Sequence, residues 1–243
     1  MPVVLILGAT SDMGKAIARK FAEKEYDIQL ACRKPEEISA LVSDLKIRFQ
    51  RNCTAHAFDA TDFSSHRQFY ASLPSSPDIV VCVFGYMTDN DIAITVWEEA
   101  LRTIETNYTG AVSILNIIAT DFGSKKEGII AGISSVAGER GRQNNYIYGS
   151  AKAGFTAYLS GLRNKLYKDN VHVVSVLPGF VYTKMTEHLK LPKLLTATPE
   201  DVATYTYNAI IKRKDIIYIK WFWKWIMFII KCIPETIFKK KTL

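Results

Sequence analysis

The sequence predicts a single α/β domain built on a doubly wound parallel sheet. Short runs rich in Val and Ile alternate with amphipathic stretches along most of the chain. The runs are almost continuously apolar, as strands buried on both faces must be, and the alternation implies right-handed crossovers. No repeat, low-complexity linker or break in composition divides the 243 residues, a length ordinary for one such domain. We read residues 1–219 as the sheet domain and 220–243 as a C-terminal aromatic and basic segment.

The elements follow in order. VVLIL (Val3–Leu7) runs into a helix from about Met13 to Lys24. IQLAC (residues 28–32) precedes a helical stretch near 35–49, and TAHAF precedes a helix starting about Phe63. DIVVCVF (78–84), GIIAGIS (128–134) and VHVVSVL (171–177) supply the remaining strands. TPEDVA begins a helix, with Thr198 as N-cap, Pro199 in the first turn, and acids that suit the positive helix end.

Composition excludes several classes. With 48% hydrophobic and 23% charged residues the chain is globular rather than disordered. Cys32, Cys53, Cys82 and Cys232 are scattered without CxxC or a His at ligand spacing, so no metal site is expected and reduced thiols in a cytoplasmic setting are. The N-terminus lacks the charged flank and cleavage site of a signal peptide. The net charge of +7 is confined to one end. From Lys212 onward nine basic residues face only Asp215 and Glu235, and the rest of the chain is neutral. No basic stripe crosses the body of the protein, which argues against nucleic acid as a partner.

The same end carries KWFWKWIMFIIKCI (residues 220–233). It is too short and too charged to span a bilayer. Trp, Phe and Ile flanked by Lys compose an in-plane interfacial helix, helped by anionic lipid. The alternative is a contact with a second subunit.

The turn after the first run reads LGATSDMG. Gly8 and Gly14 allow the backbone to approach a pyrophosphate, which the helix N-terminus then stabilises, with Thr10, Ser11, Asp12 and Met13 between them. Asp12 stands where many such loops have glycine, so its charge must point away from phosphate or cap the helix. The second strand ends in CRK instead of an acid, and Arg33 can grip a ribose 2′-phosphate; its bland reading is a solvated surface Arg. This favours NADPH. Asp59, followed by Ala60, is either an acceptor for the adenine amine or a helix cap.

Tyr148 and Lys152 stand four apart at the start of a helix and share a face, so the ammonium should draw the phenol pKa toward neutrality. Ser135 lies thirteen residues earlier, just past a strand, where a hydroxyl can hold a carbonyl.

With these motifs the chain resembles the short-chain dehydrogenase/reductase family, of Rossmann fold, over residues 3–219. The resemblance implies an NAD(P)-dependent oxidoreductase acting between CH–OH and C=O. Ser135 would orient the carbonyl, Tyr148 would give the proton, and Lys152 would lower the phenol pKa and bind the nicotinamide ribose. Asn107 in ETNYTG would hold a relay water, and Gly85 would let the backbone pass the cofactor. In PGFVYT, the family pattern carries cofactor contacts onto Pro178, Gly179, Val181 and Thr183.

LGATSDMG, FGYM, TNYTGAV, the segment 133–154 and IPETIFKK are further similar to decaprenylphosphoryl-2-keto-ribose reductases. That branch implies a lipid-linked ketone, a flavin-dependent oxidase partner, a cell-wall polysaccharide precursor and work at the inner face of the cell membrane. A homo-oligomer is expected. Three other readings stay open: a reductase of 3-oxoacyl thioesters or general carbonyls, an NADPH-binding sensor or scaffold without catalysis, and a membrane-tethered binding module for which the tail alone would suffice. Arg140 and Arg142 are candidates to meet an anionic substrate, as are Lys184, Lys190 and Lys193 of the loop after residue 183, all against a solvated-surface reading. His188 reads as a surface residue.

Overall fold

The computed structural model describes residues 1–187 and 191–241. Burial follows the apolar runs, and every residue of β1 (Val3–Leu7) and β4 (Ile79–Cys82) is buried. With β2 (Asp27–Cys32), β3 (Cys53–Ala57), β5 (Ile129–Ile133), β6 (His172–Pro178) and β9 (Ile216–Ile219) they form a seven-stranded parallel sheet. The spatial order is β3-β2-β1-β4-β5-β6-β9. A ribbon of β7 (Phe180–Val181) and β8 (Thr196–Ala197) follows the end of β6.

Alternate residues of β1 feed two cores, Val4 and Ile6 one, Leu5 and Leu7 the other. The first core is closed by α1 (Asp12–Glu23), α2 (Ser39–Phe49) and α8 (Pro199–Ile211), through residues such as Phe21, Leu45 and Ile210. The second is closed by α3 (His66–Ala71), α6 (Gly110–Lys125) and α7 (Tyr146–Leu166), through Phe69, Ile114 and Phe155. This is the doubly wound arrangement that the sequence predicts, with helices on both faces of one sheet. Short helices α4 (Asn90–Thr95) and α5 (Trp97–Ile104) lead through a π-helical turn at Glu105–Thr109 into α6.

Local chemistry sets the boundaries. Thr198 and Asp201 form a reciprocal capping box at the start of α8, as TPEDVA predicts. The third helix starts at His66 rather than near Phe63. Side chains of Asp59 and Asp62 accept bonds from Thr61 and Ser64 and hold the intervening residues in turns. Strand β9 is absent from the sequence-predicted runs. It is four residues long, sits at the sheet edge, and exposes Ile216.

Beyond β9 the chain forms α9 (Phe222–Cys232) and α10 (Glu235–Phe238). Trp223 and Met227 are buried against Val136 and Leu177, with Phe180 and Leu195 at the margin. The indole Nε1 of Trp223 donates to the Leu195 carbonyl at 3.2 Å, and its ring meets Phe180 edge-on. Among the described residues no helix is long and apolar enough to cross a membrane.

Candidate active site

Strand order reverses between β1 and β4, and in open parallel sheets the crevice at such a point receives the ligand. Two adjoining cavities lie there. One of 340 Å³ is lined by Gly8, Arg33, Asp59, Ala60, Gly85 and Arg102, among others. The other, of 260 Å³, reaches Asp12, Met13, Tyr148, Lys152 and Thr183. Thr10, Ser11, Phe84 and Gly85 border both, so the cavities form one cleft from the second strand to the seventh helix.

The floor is backbone, for steric reasons. Gly8 has φ +104°, and a Cβ there would stand 2.5 Å from the Phe84 nitrogen. A Cβ on Gly14 would stand 2.5 Å from the Gly8 carbonyl. The Ser11 hydroxyl donates to Gly8 O and accepts from Gly14 N, capping α1 and fixing the turn between these glycines. Asp12 is the first residue of α1 and leaves the cap to Ser11. Its Oδ2 accepts from the Lys184 backbone N–H at 2.9 Å, so its charge is directed across the cleft mouth. A side-chain-free cradle at a helix N-terminus fits the pyrophosphate of a dinucleotide.

At the other end Lys152 is 4% exposed and donates to the Ile133 carbonyl at 3.1 Å. Burial without a carboxylate partner pushes its pKa down to about 8. Tyr148 is half-buried one helical turn earlier, with the Lys152 Nζ 5.8 Å from its ring centroid. Burial pushes the phenol up to about 12, while the nearby Ser135 hydroxyl pulls it back. The sequence expectation of a phenol drawn toward neutrality is thus reversed. Both groups are perturbed, the phenol upward and the lysine downward, because each is desolvated and the ammonium points to a strand carbonyl.

Ser135 Oγ also accepts from Ala137 N and reaches the Pro178 carbonyl at 3.5 Å. Asn107 is 1% exposed in the π turn, a helix irregularity frequent at functional sites. Its Nδ2 donates to the Tyr86 and Thr103 carbonyls and its Oδ1 accepts from Tyr86 N. A Cβ on Gly85 would meet Asn107 Oδ1 at 2.9 Å and Lys152 Nζ at 3.6 Å, so these three residues pack as one group.

Other expected residues lie elsewhere. Asp59 caps no helix; its carboxylate is held by Thr61 at the cavity edge, and Ser65 precedes α3. Gly179 and Val181 line neither cavity: a Cβ on Gly179 would fall 2.0 Å from the Trp223 ring, and Val181 is buried in the core. Arg140 cannot serve an incoming anion as the sequence suggests. Its guanidinium donates to the Lys231 and Ile233 carbonyls, pairs with Glu235 at 2.7 Å and lies over the Phe238 ring. Arg142 donates to the Val136 carbonyl, and burial lowers its pKa. Lys184 and Lys193 are exposed, while His188 and Lys190 lie outside the described residues. No cluster able to hold a metal occurs among the described residues.

The sequence reading missed Arg102 and Tyr86 on the cavity wall. Arg102 lies 4.0 Å over the Tyr86 ring, and the Tyr86 hydroxyl donates to Glu99. Nothing in their local spacing announces this cluster.

The family described as short chain dehydrogenase matches residues 2–193. The chain belongs to that family. Membership makes it an NAD(P)-dependent oxidoreductase. An uncharacterized oxidoreductase of Mycobacterium tuberculosis is 31% identical over 240 residues, covering 98% of this chain and 96% of that protein. A serine 3-dehydrogenase of Agrobacterium fabrum is 30% identical over 190 residues, covering 75% of this chain and 73% of the other. Among solved structures of the same fold, a short-chain dehydrogenase from Sphingobium yanoikuyae in complex with NADPH superposes with a TM-score of 0.83. It is 21% identical, and the match covers 97% of each chain.

Proposed function

We propose that this chain uses NADPH to reduce a 2-keto-pentose carried on a polyprenyl phosphate. That reduction would be the second step of an epimerisation begun by a flavin-dependent oxidase, in the making of a cell-wall polysaccharide precursor at the inner membrane face. The observation that carries the reductase reading is the pairing of Tyr148 and Lys152 at one end of a cleft whose floor is side-chain-free glycine, with Ser135 beside the phenol. The lipid-linked substrate rests on the motif resemblance, together with the apolar helix α9 packed behind the loop that follows β6.

The reduced nicotinamide supplies hydride when bound. Tyr148, kept protonated by its raised pKa, donates its phenolic proton to the carbonyl oxygen. The Ser135 hydroxyl, close to that phenol, would orient the same oxygen. Lys152 is an ammonium below about pH 8 and would hold the nicotinamide ribose. Asn107 fixes the Tyr86 backbone beside the lysine. A second copy of the chain would cover the apolar hollow between α5 and α7, where Trp97 and Tyr146 are exposed.

Arg33 carries the choice of NADPH. It is exposed at the cavity rim, and the turn after β2 offers Arg33 and Lys34 in place of an acid. Arg33→Ala should raise KM for NADPH on the order of tenfold and leave KM for NADH nearly unchanged. An equal rise for both coenzymes would remove the 2′-phosphate role.

The substrate is tested by following NADPH oxidation in detergent, with a polyprenyl-phosphoryl 2-keto-pentose and a 3-oxoacyl thioester in parallel. Turnover of the keto-sugar lipid alone is expected. Turnover of the thioester alone would replace the substrate class and keep the residue roles.

A further inference from the structure

Helix α9 carries two apolar seams. Trp223, Met227 and Ile230 face the protein. Trp221, Trp225, Phe228 and Cys232 recur at helical spacing on the opposite side and are exposed, Trp221 to 70%, Trp225 to 56% and Phe228 to 57%, with Ile229 beside them at 63%. A helix apolar all round is normally covered all round.

Charge decides what covers it. Lys224 lies along the edge of the outward seam, Lys231 beyond it is paired with Glu139 at 2.6 Å, and Lys239, Lys240 and Lys241 are exposed after α10. Among residues 216–241 the one carboxylate is Glu235, which is paired with Arg140. A two-fold copy would set the same surface against itself, with Glu139 and Glu235 already taken by Lys231 and Arg140 and no other carboxylate among residues 216–241 to receive its remaining lysines. An anionic bilayer accepts both features, Trp and Phe at the headgroup boundary and ammonium groups among the phosphates.

We propose that the outward face of α9 docks on anionic lipid, making the chain a peripheral protein held in the plane of the membrane surface. This deepens the reading above by naming the surface, and rests on that reading only for the benefit to a lipid-borne substrate. The geometry links the two: Trp223 on the same helix packs on Gly179 and Phe180, at the end of β6. A bilayer beneath α9 lies behind the loop that borders the reacting end of the cleft.

The test is co-sedimentation of the full chain with phosphatidylcholine vesicles, with and without about a third phosphatidylglycerol. Binding is expected to the anionic vesicles, weakened by several hundred millimolar salt. It should fall on the order of tenfold or more in the W225S/F228S variant and severalfold in K224E. Both variants alter exposed positions and should bind NADPH as the parent does. Brominated lipid should quench the parent's tryptophan emission, a readout that needs no substitution. Failure of the parent to bind anionic vesicles, or equal binding by W225S/F228S, overturns the proposal. So does a parent assembly that W225S/F228S splits, which would assign the face to a second copy. The detergent assay is independent: vesicle binding without keto-sugar turnover removes the substrate and keeps the surface, and the converse removes only the surface.

Discussion

Tyr148→Phe should bind NADPH as tightly as the parent and reduce ketone on the order of a thousandfold more slowly, within the usual range for loss of a positioned acid. The substitution removes one hydroxyl from a half-buried ring, so packing on α7 is kept. Single-turnover rates with saturating NADPH are the measurement to make, beside cofactor titration by fluorescence. An unchanged rate would mean that the proton comes from elsewhere, and loss of NADPH binding would make Tyr148 structural.

Lys152→Met should do two opposite things. Turnover should fall by a comparable factor, because the ammonium is gone. Stability should rise at neutral pH. The folded lysine titrates at about 8 against an ordinary value near 10.5. Below pH 8 it is charged in both states, and folding carries the full cost of burying that charge. Between the two values the unfolded chain binds more protons, so stability climbs with pH and the penalty is gone above about 10.5. The difference corresponds to roughly 3 kcal/mol, less about 1 for the orphaned Ile133 carbonyl. A net gain of about 2 kcal/mol is about 4–8 °C in Tm for a chain of this size. Melting curves of the cofactor-free protein at pH 7 and pH 10.5 check the sign, for the gap between variant and parent should shrink with pH. A gap independent of pH would show that burial does not lower the pKa of the folded lysine. The same titration predicts that kcat/KM of the parent declines as pH rises through about 8.

The central strands were legible because burial on both faces makes a run such as Val3–Leu7 continuously apolar. Edge strand β9 was not, since Ile216 is exposed and four residues give no period. The glycine turn and the Ser135–Tyr148–Lys152 spacing were legible because their geometry is local to a turn and a helix. What escaped depends on partners far along the chain. Arg140 is occupied by residues more than ninety positions away, and Asp12 by an amide 172 positions away. Composition marked residues 220–233 as aromatic and basic, but could not say which side turned inward.

The strand order has a kinetic consequence. β1 pairs with β2 nearby in sequence, yet its other neighbour is β4, with Val4 opposite Ile79 and the Val3 amide bonded to Asp78 across 75 residues. Closing that distance is the slow, non-local step of assembly. The nucleotide cleft lies on this seam and forms only when the two halves of the sheet have joined. A coenzyme that recognises only the joined state leaves the rate of folding alone and slows unfolding, so it prolongs the life of molecules already folded without helping new ones to fold.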